Sequence, residues 1–171
     1  MLRSLFALLM LGMIGACVES EERPVATKPT VSRLMGVVAR EAHVRINPSL
    51  QASTIKTAHA ESLVAVNKVE GDWYHVDLGA VGGAGDGWMH HDLVAIDPPP
   101  GVALQAKVDG NANLRGGPGT YHSRTGSLKS GDIVAINERQ NLWYRVTDKS
   151  GKTGWVQYDM LIVDIAGALG K

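Results

Sequence analysis

Six histidines are the side chains in this sequence that most readily suggest metal chemistry. His90 and His91 are adjacent, so on a strand their side chains would point to opposite faces. A zinc site needs three or four converging ligands, and neither a helical His-x₃-His pair nor a Cys/His pairing supplies them. We therefore expect solvated strand and loop histidines, with no metal and no other cofactor.

The sequence offers little for nucleophilic or metal-assisted catalysis. Its one cysteine, Cys17, lies near the N-terminus, and neither G-x-S-x-G nor H-E-x-x-H occurs. Once the terminal and repeated segments described below are set aside, only residues 164–171 remain, which are too few for a catalytic domain. We expect a protein that is not an enzyme.

Two Trp-Tyr pairs are better candidates for recognition chemistry. Trp73-Tyr74 recurs 70 residues later as Trp143-Tyr144. Alternate side chains of a strand face opposite sides, so if Val76 and Val146 are core residues, each Tyr is buried and each Trp is less buried. An exposed indole could stack on a sugar face or on a Pro-containing peptide. The alternative, that each Trp only covers one end of the apolar core, is equally open.

These pairs belong to a duplicated segment. The same offset of 70 superimposes residues 42–45 on 112–115 and residues 63–66 on 133–136. After the Trp-Tyr pair the offset falls to 67, which matches Gly87-Trp88 to Gly154-Trp155. The difference arises in the Gly-rich stretch 80–86, where a surface loop can change length at little cost. The duplication predicts two copies of one structural module.

Each copy has the sequence pattern of a small all-β unit. Short runs rich in Val, Ile, Leu, Trp and Tyr alternate with turn residues, and no segment keeps a helical period beyond about two turns. We predict first-copy strands near residues 35–39, 54–58, 63–68, 73–78, 87–89 and 93–96. We predict second-copy strands near residues 104–109, 124–128, 133–139, 143–147, 153–157 and 161–163.

A proline-rich spacer divides the copies. Residues 98–101, Pro-Pro-Pro-Gly, favour a stiff extended segment. We therefore predict domains at 34–97 and 102–164, with residues 165–171 as a C-terminal tail. Few contacts are expected to cross the spacer, so each unit should fold alone. The first unit is expected to be the less stable, because Ala60-Glu61 replaces the Ser130-Gly131 turn of the second.

The N-terminus is typical of an export signal. Arg3 precedes an apolar run of about ten residues, too short to span a bilayer, which needs roughly 20. Residues 14–17, Ile-Gly-Ala-Cys, resemble the bacterial lipoprotein signal, which implies lipidation of Cys17 after removal of residues 1–16. By the same resemblance, Val18 is compatible with sorting to an outer membrane, facing the periplasm. An ordinary secretory peptide is the alternative.

A short acidic segment follows, and the chain as a whole is nearly neutral. Residues 17–33 contain Pro24 and Pro29 and lack apolar periodicity, so we expect a disordered tether. Without residues 1–16 the chain has 16 Lys and Arg against 17 Asp and Glu, a net charge of −1. No basic stripe or polybasic run occurs, so a nucleic-acid partner is not expected and membrane attachment would depend on the lipid.

Three motifs of the second copy carry a family resemblance. Residues 113–120 (N-L-R-G-G-P-G-T), 143–146 (W-Y-R-V) and 151–156 (G-K-T-G-W-V) resemble the bacterial SH3-like domain family. The resemblance extends over about residues 35–96 and 104–163. It implies a small five- or six-stranded barrel in each copy, and hence two barrels in tandem. Exported members of this family often bind peptidoglycan or peptides.

The resemblance also implies where a ligand would bind. We expect a groove in the second unit lined by Trp143, Tyr121 and Tyr158, with Arg115 either lining it or tying its loop. Trp73 and His91, which matches Tyr158, would form a weaker copy in the first unit. The expected function is a lipid-anchored cell-envelope module that recognises peptidoglycan or its peptide stems. The alternative is a protein–protein adaptor or an inhibitor of an envelope enzyme or assembly.

Overall fold

A computed structural model of the chain describes residues 33–79 and 85–169. Several predicted features lie outside these residues: the export signal with Cys17, the tether except for Arg33, most of the Gly-rich stretch and residues 170–171. Among the residues described, no helix is both long and apolar enough to cross a membrane.

The first repeat forms a seven-stranded antiparallel sheet with the spatial order β3-β2-β6-β5-β4-β1-β7. A single 3₁₀ turn, His91–Leu93, connects its last two strands. The strands are β1 (Leu34–Val38), β2 (Ala42–Arg45), β3 (Thr54–Ala58), β4 (Leu63–Glu70), β5 (Trp73–Asp77), β6 (Asp86–His90) and β7 (Val94–Asp97).

The second repeat has the same order, β10-β9-β13-β12-β11-β8-β14, and the same kind of 3₁₀ turn, Tyr158–Met160. A five-residue helix, α1 (Ile165–Leu169), follows it. The strands are β8 (Leu104–Val108), β9 (Ala112–Arg115), β10 (Arg124–Leu128), β11 (Ile133–Gln140), β12 (Trp143–Asp148), β13 (Thr153–Gln157) and β14 (Leu161–Val163).

The all-β prediction is therefore confirmed, and the two sheets are consistent with two small SH3-like domains. Two strands were missed, β2 and β9, which lie at equivalent positions. Each has four residues, and each pairs at one position with the next strand of its sheet, β6 or β13: Arg45 with Trp88 and Arg115 with Trp155. Each alternates buried and outward residues over only four positions and then runs directly into turn residues, which hid the strand pattern in the sequence.

Alternation along β5 and β12 sets the core as predicted. Tyr74, Val76, Tyr144 and Val146 are fully buried, whereas Trp73 and Trp143 are half-buried. The same pleat buries alternate residues in β1 and β8. Each Trp therefore stands at the edge of the core and keeps one part of its ring accessible.

The two repeats share an interface, so the expectation that few contacts cross the spacer is wrong. The hydroxyl of Tyr74 accepts a hydrogen bond from the backbone N–H of Val163 at 2.9 Å, and the hydroxyl of Tyr144 accepts one from Ile96. Tyr74 and Tyr144 are equivalent by the offset of 70, and Ile96 and Val163 by that of 67. The interface is therefore pseudo-twofold, with each tyrosine capping the last strand of the other repeat.

Further contacts reinforce this interface on both sides. Arg139 donates from Nε to the Asp97 carboxylate at 2.6 Å, across the spacer. Helix α1 contacts β4 of the first repeat, with Ile165 and Leu169 buried. Part of the predicted C-terminal tail is therefore packed structure, and one buried apolar cluster runs through both repeats.

Candidate functional site

The second repeat carries a groove of about 190 Å³ beside Trp143. We call it the second groove. Its lining comes from the residue before β9, from β9 itself, the loop after it, the start of β12, the end of β13 and the 3₁₀ turn. The residues are Asn111, Ala112, Asn113, Arg115, Thr120, Trp143, Val156, Gln157 and Met160.

The first repeat has a groove of about 180 Å³ at the equivalent place, beside Trp73. We call it the first groove. Each of its residues matches a residue of the second groove, six by the offset of 70 and two by that of 67. They are Glu41, Ala42, His43, Arg45, Leu50, Trp73, His90 and Leu93. Duplication of the fold has therefore duplicated the cavity.

The position of each Trp follows from the strand register. Trp73 opens β5, opposite Glu70 on one neighbouring strand and His90 on the other. Trp143 opens β12, opposite Gln140 and Gln157. The residue after each Trp is a core tyrosine, so the pleat directs each indole away from the core and toward the groove.

Arg45 and Arg115 shape the grooves through the loops that follow β2 and β9. Arg115 donates from Nη1 to the carbonyls of Thr120 and His122, at 2.9 and 2.8 Å. Arg45 donates to the carbonyl of Ala52, which is equivalent to His122, at 2.7 Å. Of the two roles expected for Arg115, tying the loop is the one its hydrogen bonds perform, although its side chain also borders the groove.

The polar lining of the second groove consists mainly of amides. Among its lining residues, Asn111 and Asn113 are exposed and Gln157 is half-buried. The amide of Gln157 lies 3.4 Å from the Asp159 carboxylate, a long contact that leaves most of its hydrogen-bonding capacity unused. These amides and Trp143 present hydrogen-bonding groups beside an aromatic face.

The polar lining of the first groove is ionisable instead. His90 meets Trp73 edge to face at 5.4 Å between ring centroids, and its Nδ1 lies 2.7 Å from the Asp92 carboxylate. Burial favours a higher pKa for Asp92, but the hydrogen bond with His90 and the charges of His90, Arg40 and His91 outweigh it and lower that pKa. Asp92 is therefore a carboxylate at neutral pH and fixes the His90 ring against Trp73.

Tyr121 lies beside the second groove without lining it. Its side chain is 83% exposed, and its ring packs at a tilt of 37° against the His122 ring, 4.3 Å between centroids. The loop glycines make this possible: a Cβ on Gly119 would meet the Tyr121 ring at 2.4 Å, and one on Gly117 would meet the His122 ring at 2.5 Å. Tyr121 can thus extend the contact surface at the rim, while Trp143 alone of the predicted aromatic residues lines the cavity.

Tyr158 and His91 are not groove residues, and that prediction is wrong. Tyr158 is 4% exposed and His91 is 3% exposed. Both residues follow the end of a strand and begin a 3₁₀ turn, so the strand alternation no longer decides where their side chains point. The turns bring both side chains to the interface between the repeats.

The prediction also missed the polar residues of both grooves. Asn111, Asn113 and Gln157, and their equivalents Glu41, His43 and His90, come from segments about 45 residues apart that meet beside the Trp. The available signal was the repeat itself, because these positions correspond at the two offsets. Among residues 33–79 and 85–169, no group of three or more His, Cys, Asp or Glu side chains could hold a metal ion.

Comparison with known proteins identifies part of the chain. Residues 110–161 match the family model described as the bacterial SH3 domain, so the second repeat contains such a domain. No match was found among curated proteins.

Two solved structures, NlpC2 and NlpC1 from Trichomonas vaginalis, are similar to the chain at 17% and 15% identity. Their TM-scores are 0.34 and 0.33, over 79% and 80% of this chain. The matched regions are 49% and 48% of those chains, so this chain spans about half their length.

Proposed function

We propose that this protein is a non-catalytic, lipid-anchored module of a bacterial cell envelope that binds peptidoglycan or its peptide stems. The observation that carries the proposal is the pair of equivalent grooves, each with one half-buried tryptophan, Trp73 or Trp143, beside exposed polar side chains. The bacterial SH3 domain in residues 110–161 supports a binding role.

The chemistry of each groove suits weak, repeated contacts. An aromatic face adds about 0.5–1.5 kcal/mol beyond the area it buries, and the amides or ionisable groups beside it add directional hydrogen bonds. Peptidoglycan is a polymer that offers many copies of each ligand. The two grooves belong to one chain, so once one groove is bound the second contact benefits from a high effective concentration.

Co-sedimentation with purified peptidoglycan tests this proposal. We expect residues 18–171 to pellet with it, Trp73→Ala and Trp143→Ala each to weaken the binding several-fold, and the double variant to weaken it further. Trp155→Phe is the matched control, because Trp155 is also half-buried but lines neither groove. Wild-type protein that stays in the supernatant, or a double variant that binds as the wild type does, would refute the proposal.

A protein partner is the second candidate, and one feature favours it. Ile46 and Leu50 are 58% and 67% exposed in the loop beside the first groove, where the second repeat has Gly116 and Thr120. Exposed apolar side chains at a groove rim are typical of protein interfaces. A photo-crosslinker at position 50 in intact cells would distinguish the two: a discrete protein adduct favours an adaptor, and a ladder of glycan-linked products favours peptidoglycan.

A further inference from the structure

The two grooves have the same shape but different chemistry. Position by position, Asn111 corresponds to Glu41, Asn113 to His43, and Gln157 to His90. The second groove therefore carries three amides where the first carries one carboxylate and two imidazoles. Since backbone and Trp are equivalent, these three exchanges account for most of the difference in polar chemistry between the grooves, with Thr120 in place of Leu50 as a fourth.

The second groove carries one charge, that of Arg115, and has no acidic lining residue. Arg115 is its one ionisable lining residue, and that guanidinium donates to the Thr120 and His122 carbonyls. The remaining polar lining consists of Asn111, Asn113, Thr120 and Gln157. A cationic ligand would lose hydration on entering this groove and meet no opposite charge among its lining residues.

Amides next to an indole suit a neutral saccharide. Each Asn or Gln side chain presents both donors and an acceptor, so it can bond to vicinal hydroxyls, which are themselves both donors and acceptors, or to an acetamido group. The indole of Trp143 offers a flat apolar surface for the C–H face of a sugar ring. The groove thus offers hydrogen bonds to the edge of a sugar ring and an apolar surface to its face.

We propose that the second groove is a saccharide subsite for an N-acetylated sugar, with the ring on Trp143 and the polar groups bonded to Asn111, Asn113 and Gln157. The proposal rests on the proposed function, because the glycan strand is the part of peptidoglycan that carries such groups. The first groove, with Glu41, His43 and His90, does not take this ligand. The two repeats would then recognise different parts of one polymer.

The test is a titration of the full-length protein with a β-1,4-linked N-acetylglucosamine tetramer, following the indole N–H signals of the four tryptophans by NMR. We expect the Trp143 signal to shift saturably and the Trp73 signal to stay in place. Because the tetramer is uncharged, the affinity should be unchanged by an approximately tenfold rise in salt. A Trp73 shift as large as that of Trp143, or no Trp143 shift, would overturn the assignment.

A matched pair of variants locates the ligand. Asn113→Ala should weaken tetramer binding about tenfold, because it removes hydrogen bonds that the bound sugar needs. His43→Ala, at the equivalent exposed strand position of the first repeat, should leave the affinity unchanged. Equal losses in both variants, or no loss in Asn113→Ala, would show that the sugar binds elsewhere.

Parallel co-sedimentation with peptidoglycan separates this inference from the proposed function. Protein that pellets with peptidoglycan but gives no Trp143 shift with the tetramer retains the function and refutes the saccharide subsite. Protein that binds the tetramer at Trp143 but stays unbound to peptidoglycan supports the subsite and refutes the function.

Discussion

Tyr158 in the second repeat donates a hydrogen bond from its hydroxyl to the backbone carbonyl of Asp92 in the first repeat, at 2.6 Å. Burial raises the pKa of Tyr158 to about 12, so the hydroxyl keeps its proton at neutral pH. His91, at the equivalent position of the first repeat, makes no such bond: its Nε2 lies 3.7 Å from the Asp109 carboxylate, and its buried Nδ1 has no partner among the described residues. The interface is symmetric in backbone and asymmetric in chemistry.

His91 makes the stability of this interface dependent on pH. Burial lowers the pKa of His91, and the neighbouring charge of His90 lowers it further, while Asp92, Asp109 and Asp72 act in the opposite direction. The unfolded chain therefore binds a proton at His91 more readily than the folded protein does. The stabilising contribution is complete above pH 6.5, the ordinary value, and is lost as the pH falls from there through the lower folded pKa.

We therefore expect the free energy of unfolding, measured by denaturant titration, to decrease between about pH 7 and pH 5. His91→Phe should reduce this slope, whereas His59→Asn, which alters a highly exposed histidine, should leave it unchanged. Burial raises the pKa of Asp159 above its ordinary value of 3.8. That carboxyl therefore has the opposite effect on the free energy of unfolding, and adds stability as the pH falls toward 3.8. If His91→Phe shows a slope as large as that of the wild type, groups other than His91 cause the pH dependence.

The two capping tyrosines are expected to stabilise the pair of repeats. Tyr144→Phe removes the acceptor for the buried N–H of Ile96, and Tyr74→Phe removes that for Val163. Each should lower the free energy of unfolding by about 1–3 kcal/mol, the cost of a buried donor without a partner. Tyr121→Phe, at an exposed ring, is the control and should be neutral. Unchanged stability in both core variants would mean that water replaces the lost hydroxyls.

Separated repeats should be less stable than the intact protein. Residues 34–97 expressed alone would expose Ile96 and the hydroxyl of Tyr74, and residues 102–164 would expose Val163 and the hydroxyl of Tyr144. We expect lower melting temperatures for both fragments by circular dichroism, and partial recovery when the fragments are mixed. Fragments that melt at the temperature of the intact chain would restore the hypothesis of independent domains.

The first repeat should gain stability from glycine at position 61. Glu61 has φ +64° and donates its N–H to the Val38 carbonyl, as Gly131, with φ +86°, does to Val108. A left-handed conformation costs a non-glycine residue about 1–2 kcal/mol, so Glu61→Gly should add about 1 kcal/mol after the larger entropy of the unfolded chain is included. Gly131→Glu is the reciprocal control, and denaturant midpoints should move in opposite directions.

Lipidation at Cys17 is tested by fractionation. Stable anchoring needs more than one acyl chain, each methylene contributing about 0.8 kcal/mol, and a lipidated, N-acylated cysteine supplies this. We expect the wild-type protein in the membrane fraction, with a mass that includes lipid, and Cys17→Ala either unprocessed or mislocalised. Identical mass and fractionation of the two proteins would refute the anchor.

The sequence by itself determined the local architecture of this protein. The offsets of 70 and 67 established the duplication, and the pleat of a strand placed Tyr74 and Val76 inward and Trp73 outward, because alternation is a property of extended backbone and needs no partner. Turn residues also marked most strand ends, because the conformational preference of a turn residue is local too. These inferences depend on neighbours within a few positions of the chain.

Only the tertiary structure decided what the outward residues meet. Each groove combines residues from strands about 45 positions apart, and each capping tyrosine finds its donor in the other repeat, 48 residues away for Tyr144 and 89 for Tyr74. The sequence predicted His91 and Tyr158 as groove residues, but the 3₁₀ turns that they begin direct their side chains to the interface. Burial of a polar group depends on which surfaces pack together, and that free-energy balance is set by the whole fold rather than by local pattern.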